Sequence, residues 1–203
     1  MKKIYYLILK WWRSHTIKNK TVSIISNNCW GGFMYQSCGL GYNSPFIGLY
    51  MYAPEYIRML QNITENLKQP IKFINQGQSK YKDLYSDKFI IGTLGDTGIE
   101  IVFMHYKTEE EVLCKWNRRL KRLDFNNLIV KFSDTDECTD ELIKEFDNMP
   151  FKNKVCFTSK PFPECKSVIA MKEFANDKNV KYEWAYSQKY YKFVYEANKL
   201  LSK

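Results

Sequence analysis

Apolar positions follow two different periods along the chain. Near the start, Ile4, Ile8 and Trp11 share a helical stripe with Leu7 beside it, while Lys10 and Arg13 lie elsewhere. This predicts a basic amphipathic helix over residues 1–18. Residues 21–26 (TVSIIS) are β-branched and apolar enough for a buried strand, and a short helix over 33–38 is expected before Gly39, Gly41 and Asn43-Ser44-Pro45 break the chain. Residues 46–51 read as a second strand. Pro54 opens a helix whose apolar positions Ile57, Leu60, Ile63 and Leu67 keep the helical period, and Pro70 forbids its continuation. A short strand at 71–74 and two at 89–94 and 99–105 follow, the last two joined as a hairpin by Gly95-Asp96-Thr97-Gly98. Thr108 caps the next helix, with Leu113, Trp116, Leu120 and Leu123 as its expected buried stripe. A strand at 127–132 leads to a helix capped by Thr139 that carries Leu142, Ile143 and Phe146. Strands at 154–158 and 167–170 and a helix over 187–200 complete the series. Strands alternating with helices predict a three-layer α/β/α fold with a mostly parallel or mixed sheet: one domain over 21–203 with an N-terminal helical appendage at 1–20.

Composition narrows the class. The chain has 203 residues, a formal net charge of +9 and 16% aromatics. Six Lys/Arg and no acid fall within residues 1–20, leaving 25 basic against 22 acidic residues, or +3, for the rest. The charge is therefore local, and the helix that carries it either binds anionic lipid or packs on the domain with its lysines solvated. Acidic runs at 109–111 and 134–140 and the lack of a recognition motif argue against nucleic acid. No apolar run suffices to span a bilayer or to form a secretory signal, which predicts a cytoplasmic protein with peripheral membrane contact. The six cysteines are scattered, and only His15 and His105 could join them, so reduced thiols are expected and structural zinc is not.

Ligand chemistry in open α/β sheets gathers at the carboxyl ends of strands. After the first strand, Cys29 lies at a glycine-rich helix start, where free amides can lower a thiol pKa; with His105 as base and the Trp30–Gly32 amides facing an oxyanion, it is a candidate nucleophile. The alternative is a packed small hydrophobe. Asn27 and Asn28 either form a turn or hold a polar ligand, and Gly31 and Gly32 allow a phosphate or carboxylate to approach the helix end. The segment matches neither a P-loop nor a dinucleotide fingerprint. Asp134 and Asp136 have a spacing that suits Mg²⁺ or Mn²⁺ against a diphosphate, with Asp134 as a catalytic candidate, and they equally suit a helix cap. Lys160 and Arg118 are candidate anion contacts.

These residues fall within segments that resemble the bacterial domain-of-unknown-function family 1919. The matching stretches are Ile25-Ser26-Asn27-Asn28-Cys29-Trp30-Gly31-Gly32, Tyr42-Asn43-Ser44-Pro45, His105-Tyr106, Lys115-Trp116-Asn117-Arg118-Arg119, Phe132-Ser133-Asp134 and Phe157-Thr158-Ser159-Lys160-Pro161. They add Asn43, Ser44 and Ser133 to the candidate ligand contacts. Family members are often labelled exopolysaccharide-biosynthesis proteins, with no established reaction. The resemblance implies a three-layer α/β fold and a transferase acting on a sugar or activated sugar, by acyl transfer through Cys29 or by metal-assisted glycosyl or phosphoryl transfer through Asp134 and Asp136. It leaves open a non-catalytic alternative, a sugar-binding or membrane-docked accessory protein.

Overall fold

The computed structural model describes residues 2–186 and 189–201. Helix α1 (Lys2–Thr16) precedes β1 (Ser23–Ser26), α2 (Trp30–Cys38), α3 (Ala53–Gln61), the short α4 (Ile63–Asn66) and β2 (Ile71–Ile74). Then come β3 (Ile90–Leu94), β4 (Glu100–Phe103), α5 (Glu109–Leu120), β5 (Leu128–Ser133), α6 (Asp140–Asn148), β6 (Lys154–Thr158), β7 (Val168–Ala170) and α7 (Tyr191–Leu201). Strands β1, β5, β6 and β7 form a parallel sheet in the order β1-β5-β6-β7. The register sets Ile25 against Val130 and Phe132 against Cys156.

Alternation along these strands buries both faces. Ile25, Val130, Phe132 and Cys156 share one core with Tyr56 and Met59 of α3, Ile143 and Phe146 of α6, and Phe103 of β4. On the other face Ile24, Ile129, Val155 and Phe157 meet Trp30 and Met34 of α2 and Val194 and Ala197 of α7. Helices therefore cover both faces, giving the expected layered α/β architecture. Thr108 caps α5 by accepting from the Glu111 amide at 3.2 Å, and Thr139 caps α6 by accepting from Leu142 at 3.4 Å.

Several elements differ from the sequence pattern. The hairpin β3–β4 pairs antiparallel with β2 in a second sheet of its own and does not join the parallel one. Residues 46–51 are irregular, touching the hairpin through a single bridge between Tyr50 and Val102, because Gly48 turns the chain at φ 74°. The helix expected to run to Leu67 breaks at Asn62 (φ −139°, ψ 54°) into α3 and α4. In α5 the expected Trp116 and Leu120, and Leu123 beyond its end, pack on the core, but Val112 and Arg119 are the other buried residues and Leu113 is 37% exposed. Trp116 sets this phase by packing against Phe46 and Phe103. Of the final predicted helix, residues 187 and 188 lie outside the described residues.

Candidate functional site

Strand β1 ends in a turn built by its own asparagines. The Asn28 Oδ1 accepts from the Trp30 amide at 3.2 Å, which directs the chain into α2 and leaves Cys29 at its N-cap. Gly31 lets α2 lie close on β1, since a Cβ there would meet Ile24 Cγ2 and Ser26 Cβ at 3.3 Å each. Across the site, His105 follows β4 and its amide donates to the Gly48 carbonyl at 3.0 Å. A Cβ on Gly48 would stand 3.3 Å from the His105 Cβ, so glycine serves both the positive φ and the close approach. These two anchors bring Cys29 Sγ to 3.7 Å from His105 Nε2, although 76 residues separate them in sequence.

The pair stands at the junction of two cavities. One, of about 340 Å³, is bounded by Gly32, Gln36, Tyr42, Tyr106, Lys115 and Arg119. The other, of about 740 Å³, has an aromatic wall of Phe33, Tyr50, Tyr85, Phe89, Tyr182 and Trp184 and is also lined by Asn28 and Asp136. Arg119 is 7% exposed; it donates to the Tyr106 hydroxyl at 2.8 Å and lies 5.1 Å from the Tyr42 ring centroid. No carboxylate among the described residues pairs with it, whereas Lys115 is bound to Glu111. The smaller cavity therefore has a wall suited to an anionic group.

Beneath Cys29 lies a buried polar centre. Lys131, inside the otherwise apolar β5, and Glu183 are both fully buried and ion-paired. Lys131 Nζ also donates to Asn28 Oδ1 at 3.0 Å, Asn27 Oδ1 at 3.2 Å and Ser133 Oγ at 3.0 Å, and Asn28 Nδ2 donates to Glu183 Oε1 at 2.6 Å. Glu183 Oε2 and Asn27 Nδ2 are buried without a hydrogen-bond partner. Tyr182, at φ 50°, swings its ring into the aromatic cleft while Glu183 turns inward. Burial pushes the Glu183 carboxyl upward, but the Lys131 charge and the hydrogen bonds prevail and hold it below the ordinary range. Burial also raises the Cys29 thiol above its ordinary value, with Lys131 opposing and Glu183 reinforcing, so the sulfur keeps its proton at neutral pH.

The remaining candidates have other places. Both oxygens of Asp134 accept backbone amides, from Ser159 and Val180 at 2.7 Å each, making it a strut between β6 and the segment that leads to Glu183. Asp136 alone of the two carboxylates lines the cleft, at φ 55°, and accepts from the Thr135 hydroxyl at 2.9 Å. Burial raises both carboxyls. Among the described residues, no three His, Cys, Asp or Glu gather as metal ligands. Trp30 is wholly buried against Phe157 and belongs to the core, and Gly31 faces β1 and not the cavity. Asn27 and Ser133 belong to the buried centre, and Asn28 reaches the cleft wall as well. Asn43 Nδ2 donates to the Lys20 carbonyl at 2.9 Å, and Ser44 Oγ accepts from the Phe46 amide at 3.2 Å, so these two build a turn. Lys160 is exposed and paired with Asp140 at 2.9 Å. Arg118 points outward on α5, leaving the cavity to Arg119.

Lys131 and Glu183 carry no motif that singles them out in the sequence, and Arg119 stands there only as a neighbour of Arg118. The run Leu128-Ile129-Val130-Lys131-Phe132 carried a signal, because a lysine in a buried strand requires a partner. A protein of Haemophilus influenzae described only as uncharacterized is 38% identical over 164 residues, covering 81% of this chain and 74% of its own. The family model for DUF1919, a domain of unknown function, matches residues 1–200, from α1 through both sheets to α7. The chain therefore belongs to the DUF1919 family.

Proposed function

We propose that this protein is a cysteine-dependent acyltransferase, moving an acyl group from an activated donor to a sugar acceptor in the assembly of cell-surface polysaccharide. The observation that carries the reading is the 3.7 Å approach of Cys29 Sγ to His105 Nε2 at the meeting point of a cation-walled and an aromatic-walled cavity. Cys29 attacks the donor carbonyl as its proton passes to His105 Nε2. The bond from carbonyl to leaving group then breaks, His105 returns the proton to the leaving group, and a thioester remains. A sugar hydroxyl attacks that thioester, its proton goes to His105, and Cys29 departs and recovers it. The Trp30 amide is taken by Asn28 Oδ1, which leaves the Gly32 amide, at the wall of the smaller cavity, to receive the developing oxyanion. Arg119 suits an anionic donor, and the aromatic wall suits the apolar face of a sugar ring. Asp134 is engaged by backbone amides, which favours this chemistry over metal-assisted transfer.

Incubation with p-nitrophenyl acetate, followed by mass spectrometry, tests the proposal. One acetyl group is expected on Cys29, absent in Cys29→Ser and strongly reduced in His105→Asn. Because burial keeps the resting thiol protonated, its reaction with iodoacetamide should climb steadily as the pH is raised above neutral. Acetylation that ignores His105→Asn, or that falls on another cysteine, would sink the mechanism. The aromatic cleft also supports a second reading, a sugar-binding module without catalysis, under which Cys29→Ser retains oligosaccharide binding and the wild type forms no adduct.

A further inference from the structure

Helix α1 is turned the opposite way from an ordinary surface helix. Ile4, Tyr5, Leu7, Ile8, Trp11 and Trp12 lie on adjoining helical positions, and each is 50–64% exposed. A helix that serves only its own domain directs such a stripe to the core. Here the core side holds Arg13 and Ile17, which are buried. The Arg13 guanidinium lies 4.7 Å from the Tyr191 ring centroid, and Trp12 meets the same ring at 5.8 Å, so the end of α1 is fastened to α7 while its apolar stripe remains outward.

The chemistry of the stripe and its flanks selects what covers it. Lys2, Lys3, Lys10, Lys18 and Lys20 accompany it, and the first acidic residue of the chain is Glu55. A helix surface that is apolar, rich in Trp and Tyr and accompanied along its own segment by basic residues without an acid complements the headgroup and acyl boundary of an anionic bilayer. No described helix is long and apolar enough to cross a membrane, so α1 would lie in the interface plane. A cavity of about 310 Å³, lined by Tyr6, Lys10, Phe33, Gln36 and Trp184, runs inward from α1. Phe33 and Gln36 also line the cavity beside Cys29. We propose that α1 is an interfacial anchor that seats the protein on an anionic bilayer with this groove facing the lipid. Resting on the acyl-transfer reading, the groove then serves a substrate that is itself lipid-anchored and carries an anionic headgroup beside Arg119.

Sedimentation of the full chain with vesicles of phosphatidylcholine, alone or mixed with phosphatidylglycerol, tests the anchor. Binding is expected only to the mixed vesicles, with a blue shift of tryptophan fluorescence and weakening at high salt. Ile8→Glu combined with Trp11→Glu should lower the partition coefficient about tenfold or more without moving Tm, since both positions are exposed. Lys10→Gln should lower it about fivefold. Equal binding by the Glu variant overturns the anchor. So does failure of the wild type to bind mixed vesicles, including the case in which the stripe forms a dimer that the Glu variant dissolves. Cys29→Ser should bind vesicles as the wild type does, which separates the two proposals. Vesicle binding without acetylation of Cys29 leaves the anchor standing and removes the acyl-transfer reading, and the reverse result removes the anchor alone.

Discussion

Lys131 and Glu183 set the polarity of the ground on which Cys29 rests. Taking two charges out of water is repaid only while each has the other, so removing one partner leaves an uncompensated buried charge. Lys131→Met should cost about 3–5 kcal/mol in urea unfolding at pH 7, and adding Glu183→Leu should recover most of the loss. Wild-type stability in the single variant would contradict the pairing. The sign of the pH dependence follows from the lowered Glu183 carboxyl. Its contribution is complete above the ordinary carboxylate value and is lost as pH falls through the folded value. In Lys131→Met the opposing charge is gone and only the Asn28 and backbone hydrogen bonds still counter burial, so the Glu183 pKa rises and acid relieves the variant. The stability gap between the two proteins should narrow as pH is lowered. Sequence patterning does not expose this pair, because 52 residues separate its members and Glu183 is a single acid among aromatics.

At the scale of elements, the seat of one helix on one strand sets the Cys29–His105 approach. Gly31→Ala forces α2 away from β1 or displaces Ile24 and Ser26 by a few tenths of an ångström. It should cost about 1–3 kcal/mol and lower the acetylation rate of Cys29. Unchanged acetylation in a destabilised variant would show that the seat does not control the pair. The strand-end rule led to both Cys29 and His105 from sequence, since each follows a readable strand. It does not rank Asp134 against Asp136, because which of them lines the cleft depends on the distant chain segment that presents the Val180 amide to Asp134. Along α5 the expected Trp116, Leu120 and Leu123 reach the core and only Leu113 gives way to Val112, since the two are equally apolar and tertiary packing alone distinguishes them. The same packing directs Arg119, and not Arg118, into the cavity.

At the scale of the molecule, α1 has two halves with different duties. Ile17, immediately after it, is fully buried in the core shared by α2 and α7, and Ile17→Ala should cost about 2–5 kcal/mol. Deleting residues 1–8 should leave the thermal midpoint nearly unchanged, because the described side chains from Ile4 to Ile8 are exposed and the contacts to α7 lie beyond them. A large fall in Tm on that deletion would mean that the apolar stripe is covered by the protein itself. The two halves cannot be separated in sequence, where the helical period continues across both.

The sequence by itself determined the succession of strands and helices, the capping of α5 and α6, the uneven charge and the two residues of the candidate dyad. Each of these is written in local periodicity or in residue type at a strand end. Tertiary structure alone decided that the hairpin forms its own sheet, that Arg119 and not Arg118 enters the cavity, that Asp134 is a strut, and that Lys131 meets Glu183. It also decided which way α1 faces. These outcomes depend on contacts between distant segments, and local pattern specifies which side of an element is apolar without specifying what, if anything, will cover it.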